Sequence, residues 1–147
     1  MADFKTVSRL LGVAGLTPFA LLALAGWVSL PGWINTLLIG YALAILSFLA
    51  GSLWMGALRS AAPRSEPLVA SNVLVLAGLP ALLLPLPWAG ALLAALFAIH
   101  LLIEQRWIRR DLEGWYRRLR FLLSGVAIAL MGIAVLGGLA GGGGQSS

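Results

Sequence analysis

LLGVAGLTPFALLALAGWVSLPGWINTLLIGYALAILSFLAGSLWMGAL, residues 10–58, carries not one charged side chain. Pro31-Gly32 interrupts it with a turn signal, because proline cannot continue the helical hydrogen-bond ladder and glycine readily takes turn conformations. The stretch therefore divides into two helices, 10–30 and 34–58, each meeting the need for about 20 apolar residues to cross a bilayer. Lys5 and Arg9 precede the first, as in a secretion signal. Its uncharged run is longer than the apolar region of such signals, and no small-x-small cleavage site precedes a soluble domain, so a retained span is expected.

The next apolar stretch, 67–103, has no charge apart from protonation of His100. As a single helix it would extend about 55 Å, nearly twice a hydrocarbon core of about 30 Å. It must fold back, and Pro85-Leu86-Pro87 marks the place, since each proline pushes its predecessor out of the α region. The resulting helices, 67–84 and 88–103, are short, which leaves a re-entrant hairpin as the alternative. A fifth span, 121–140, completes a single domain over 1–140, and 141–147 is a flexible Gly-rich tail.

Composition agrees. Of 147 residues, 61% are hydrophobic and 10% charged, against about 45–50% and about 25% in soluble domains. A globule this small cannot bury so much apolar surface from water. The expected fold class is all-α: an integral membrane bundle of about five transmembrane helices. Five spans place all ten Lys and Arg on one side. The positive-inside rule makes that side cytoplasmic, with the N-terminus in and the C-terminus out. Trp27, Trp33 and Trp88 fall at the outer boundary and Trp54, Trp107 and Trp115 at the inner one, as two aromatic belts.

The chemistry-bearing residues are few. With no cysteine and one histidine, bis-histidine haem ligation is ruled out and a three- or four-ligand metal site has little to draw on, no cofactor is implied, and no catalytic group stands out. His100 and Glu104 share a helix face at the cytoplasmic end of the fourth span. That makes them a candidate proton or polar pair, because His titrates near neutral pH and intramembrane ionisable groups mark function by default; a structurally satisfied pair is the alternative. Pro18 and Pro80 free backbone carbonyls at membrane depth, as kinks or as substrate-site interruptions. Ser47-x-x-x-Gly51 and Gly125-x-x-x-Ala129 have small-residue spacing that lets helices approach. Packing within the monomer is expected of them, with a homodimer seam as the alternative.

HLLIEQRWIRRDLEGWYRRLRF, residues 100–121, holds six of the ten basic residues. Read as a helix over 107–119, it gathers Trp107, Ile108, Leu112, Trp115, Tyr116 and Leu119 on one side. Such a segment would lie along the inner interface, with Trp107, Arg109, Arg110, Trp115, Tyr116, Arg117, Arg118 and Arg120 facing anionic lipid or an acidic membrane partner. No nucleic-acid partner is expected.

Three motifs carry a family resemblance: GLTPF at residues 15–19, ILSFLAGSLWMGAL at 45–58 and WYRRLR at 115–120. Together they resemble the family known as domain of unknown function 3429, small multi-span proteins of proteobacterial inner membranes with mitochondrial relatives. The pattern Phe-Leu-x-Gly-x-x-Trp is kept by Phe48, Leu49, Gly51 and Trp54, and Trp-Tyr-x-x-Leu-Arg by Trp115, Tyr116, Leu119 and Arg120. Ala50 stands where that pattern has a second glycine, Met55 separates Trp54 from Gly56, and Glu104 replaces an aspartate. The resemblance implies a bacterial inner-membrane location and packing roles for Pro18, Phe48, Gly51 and Trp54, but no reaction. The expectation is a non-enzymatic membrane protein acting through helix and lipid contacts, with a small oligomeric, proton-coupled carrier as the alternative.

Overall fold

A helix in lipid must satisfy every backbone group within itself, and a computed structural model of the chain, described over residues 3–60, 64–107 and 114–142, is built accordingly. Its helices are α1 (Phe4–Ala25), α2 (Gly32–Arg59), α3 (Glu66–Gly78, continued as a 3-10 turn over Leu79–Leu83), α4 (Leu86–Trp107) and α5 (Gly114–Gly142). There is no strand among the described residues. All five elements are long and apolar enough to cross a membrane. At 1.5 Å per residue, the 28 residues of α2 and 29 of α5 extend about 42–44 Å, so a core of about 30 Å requires them to tilt or to project beyond it.

The ends of the helices differ from those expected in instructive ways. Helix α1 starts within the charged segment and stops at Ala25, leaving Trp27 to Leu30 outside it. It stops where Gly26 meets α5: a β-carbon on Gly26 would overlap the backbone of Ala134, and one on Gly137 would lie 2.6 Å from the carbonyl of Gly26. Only hydrogen-sized side chains allow that crossing. Pro80 does not kink an α-helix interior; it sits at the start of the 3-10 turn that ends α3. The stretch 67–83 thus uses a proline to finish a span rather than to open a site. Pro67 is at the first turn of α3, where its missing N–H is no loss.

The largest correction concerns the basic loop. Helix α4 runs on to Trp107 and α5 begins at Gly114, seven residues before the expected start at Phe121. Residues 114–119 are thus the first turns of α5 rather than the end of a separate interfacial helix. Arg109 and Arg110, with 108 and 111–113, lie outside the described residues.

Helix α5 packs between α1 and α4, and α2 against α1, α3 and α4. The centre is filled by Phe19, Leu22, Leu46, Leu53, Leu93, Phe97 and Met131. Phe19 meets Phe97 and Tyr41 edge-on, with ring centroids 5.7 and 6.0 Å apart, an orientation aromatic quadrupoles favour. The outer surface is apolar, as lipid demands: Leu10, Leu11, Leu37, Phe48, Leu102 and Leu122 are all exposed. Every described arginine belongs to one end of the bundle, and exposed Trp27, Trp33 and Trp88 ring the other.

Three members of the Phe-Leu-x-Gly-x-x-Trp motif face outward. Phe48 is 76% exposed, Trp54 43%, and a β-carbon on Gly51 or Gly125 would meet open space. The expected packing of Phe48, Gly51 and Trp54 inside the monomer is therefore not found, and neither small-residue motif supplies an internal helix crossing. Pro18 is half-buried within α1. One turn earlier, the carbonyl of Gly15 accepts a hydrogen bond from the Tyr41 hydroxyl at 3.2 Å, which ties the proline-interrupted helix to α2.

Candidate functional site

Buried polar groups concentrate at the arginine-bearing end. On α4 the inward stripe of Ala89, Leu93, Leu96, Phe97 and His100 ends on Glu104. On α5 the stripe of Ala134, Met131, Ala127 and Ser124 ends on Arg120. Helical geometry carries each apolar face onto these charged residues at intervals of three and four, so the two charges face each other across the α4–α5 contact.

The groups form an almost closed ring through three helices. Arg120 Nε lies 2.9 Å from Glu104 Oε1. Its N–H is not aligned for a hydrogen bond, so the contact is an ion pair made at close range rather than a linear bond. Arg120 Nη2 donates to Ser52 Oγ at 2.9 Å, and Ser52 in turn donates to the Leu49 carbonyl at 2.6 Å. The same carbonyl accepts from His100 Nε2 at 2.9 Å. Because a carbonyl only accepts, Nε2 carries the proton, and Nδ1 faces Glu104 Oε2 at 4.0 Å. His100 Nδ1 and Glu104 Oε2 are both buried without a hydrogen-bond partner. That pair is the single open link.

Arg120 has a further neighbour on its own helix. Its Nη1 donates to the Tyr116 hydroxyl oxygen at 3.3 Å, and its guanidinium lies 5.8 Å from the centre of the Tyr116 ring. Burial is nearly complete: His100 is 1% exposed, Glu104 5% and Arg120 9%. An isolated charge at membrane depth costs about 2.5–3.5 kcal/mol on insertion scales. Pairing and several hydrogen bonds offset that cost, and the placement near the ends of α4 and α5 reduces it.

Two cavities flank Arg120. The larger, about 480 Å³, is a groove between α4 and α5. Arg117, Arg118 and Arg120 with Glu104 and Gln105 make its polar side, while Leu101, Phe121 and Leu122 make its apolar side. The smaller, about 320 Å³, lies on the other side of Arg120 among α1, α2 and α5.

The expected pair His100 and Glu104 is brought together, with the third partner Arg120 unforeseen. The charge pattern of the sequence places Arg120 on the exposed basic surface with Arg117 and Arg118. Those two are exposed, whereas Arg120 turns inward because it continues the Ser124, Ala127, Met131 stripe. Trp107, Trp115 and Tyr116 are half-buried at the same end. The Ser52 hydroxyl and the Leu49 carbonyl were also missed as site members, although Ser52 is one of the few polar side chains of α2. No cluster of three or more His, Cys, Asp or Glu able to hold a metal occurs among the described residues.

A family model described as "Protein of unknown function (DUF3429)" matches residues 4–136. No curated protein and no solved structure matches the chain.

Proposed function

The chain belongs to the DUF3429 family, and from that premise we propose that it is a non-enzymatic protein of the bacterial inner membrane that acts through helix and lipid contacts, as an accessory or assembly subunit. Its basic end faces the cytoplasm and engages anionic lipid. The supporting observation is the α4–α5 groove, in which three guanidinium groups and one carboxylate stand beside an apolar wall at the end of two spans. Headgroup phosphates meet arginines there at the depth where acyl chains meet Leu101, Phe121 and Leu122. Arginine suits phosphate because its planar fork bonds in two places, and each basic residue near an anionic surface adds about 1 kcal/mol.

The test is the lipid that accompanies the purified protein. Replacing Arg109, Arg110, Arg117 and Arg118 with glutamine sharply reduces co-purifying anionic lipid while the helical content stays unchanged. Unaltered lipid content would reduce these arginines to determinants of orientation.

A second reading, a proton-coupled carrier, is favoured by one observation, the two partnerless atoms His100 Nδ1 and Glu104 Oε2 facing each other inside the bundle. It requires a pH-dependent flux in reconstituted vesicles that His100→Ala and Glu104→Gln each abolish. Wild-type vesicles no leakier than empty ones would eliminate it.

A further inference from the structure

The smaller cavity differs in kind from the groove. Its mouth is bordered by Leu11 of α1 and Phe48 of α2, which are 68% and 76% exposed on the lipid-facing surface. Its depth is closed by Phe19 and Phe97. Leu16, Ile45 and Leu123 line its sides. At about 320 Å³ it falls at the small end of the range in which proteins hold compact organic ligands, about 300–1,000 Å³.

Polar groups meet this cavity chiefly at Tyr116, Arg120 and Ser124, with Ser8 the one other polar residue in its lining. Tyr116, Arg120 and Ser124 all carry hydrogen-bond donors, and no carboxylate belongs to the lining. Tyr116 accepts from Arg120 through its oxygen, which leaves its own O–H free to donate. Ser124 is 5% exposed at the same level. Arg120 brings little net charge, because Glu104 lies 2.9 Å away. An anionic head would lose its hydration in a largely apolar cleft whose lining has one cation, Arg120, already paired with Glu104. A neutral head that only accepts hydrogen bonds has less hydration to lose.

We propose that this cleft binds a neutral membrane amphiphile of the quinone class, which enters sideways between α1 and α2 and sets a carbonyl oxygen against Tyr116 and Ser124. Its apolar tail lies along Leu16, Ile45 and Leu123. Arg120 stands behind the carbonyl as a donor already neutralised, so this site and the anionic-lipid groove divide two classes of ligand by charge. The inference is independent of the lipid role of the groove.

Gly15 supplies a clean test, because it lines the cleft and a β-carbon there would have as its nearest neighbour the Tyr41 hydroxyl, at 3.9 Å. Calorimetric titration of the detergent-solubilised full chain with a short-tailed benzoquinone gives saturable binding at one site per chain. Gly15→Leu fills the cleft and abolishes that binding, with the unfolding temperature no lower than in wild type. Tyr116→Phe keeps the ring, loses the donor and weakens binding by about three- to tenfold. A fatty carboxylate of matched tail length binds more weakly than the quinone. Undiminished quinone binding in either variant, no saturable binding in wild type, or equal affinity for the carboxylate would overturn the proposal.

Discussion

His100 and Leu49, 51 residues apart in the chain, meet at 2.9 Å, an imidazole N–H of α4 on a backbone carbonyl of α2. That carbonyl also accepts the Ser52 hydroxyl, so a histidine and a serine converge on one oxygen and lock the register of two helices. Replacing His100 with alanine removes a bond and leaves space in a closed core. Unfolding in detergent then loses about 1–3 kcal/mol, read as a lower midpoint in thermal denaturation. An unchanged midpoint would show that this bond does not hold α2 to α4.

The Glu104–Arg120 pair makes an asymmetric prediction. Arg120→Gln leaves a short, buried carboxylate without a counter-charge and costs about 3–5 kcal/mol, as broken buried pairs do. Glu104→Gln costs less, since the long arginine side chain reaches water through the groove. The double variant Glu104→Gln/Arg120→Gln is more stable than Arg120→Gln alone. Additive losses in this double-mutant cycle would contradict a direct interaction.

Glycines separate into two groups. Gly137→Ala forces α1 and α5 apart at the backbone of Gly26 and destabilises by about 1–3 kcal/mol, the usual range for overpacking. Gly51→Ala and Gly125→Ala meet open space, so each is neutral or stabilises by up to about 1 kcal/mol through helix propensity. Comparable losses at Gly51 would instead place a second copy of the chain against that face, and cross-linking would detect it.

Orientation is tested with a reporter active only in the cytoplasm. Fused after Gly144 it stays silent; inserted between Arg59 and Glu66 it is active. Activity at both positions, or the reverse, would defeat the arrangement with the basic end inside.

What was legible in the sequence was the solvent. Uncharged runs, Pro31-Gly32 and Pro85-Leu86-Pro87 imply five helices because lipid tolerates so few alternatives. The end of α1 was not legible, since it depends on Gly26 meeting a glycine more than a hundred residues later. The site was legible only by half. His100 and Glu104 are one turn apart on one helix, whereas the ring that holds them draws Leu49, Ser52 and Arg120 from two others. Arg120 sits in a run of arginines whose neighbours are exposed, and the charge pattern concealed what the inward spacing of Ser124, Ala127 and Met131 would have revealed. Phe48 and Trp54 misled in the opposite direction, since membership in a motif does not say whether a side chain faces protein or lipid.

The crossing of Gly26 over Gly137 joins the first helix to the last. During synthesis α1 enters the bilayer long before α5 exists, and until then its glycine-edged face touches only lipid. Membrane insertion and tertiary closure are therefore separate events for this chain, the second waiting on emergence of the final span. Without α5, the four preceding helices lack both the partner of Gly26 and the arginine that faces Glu104.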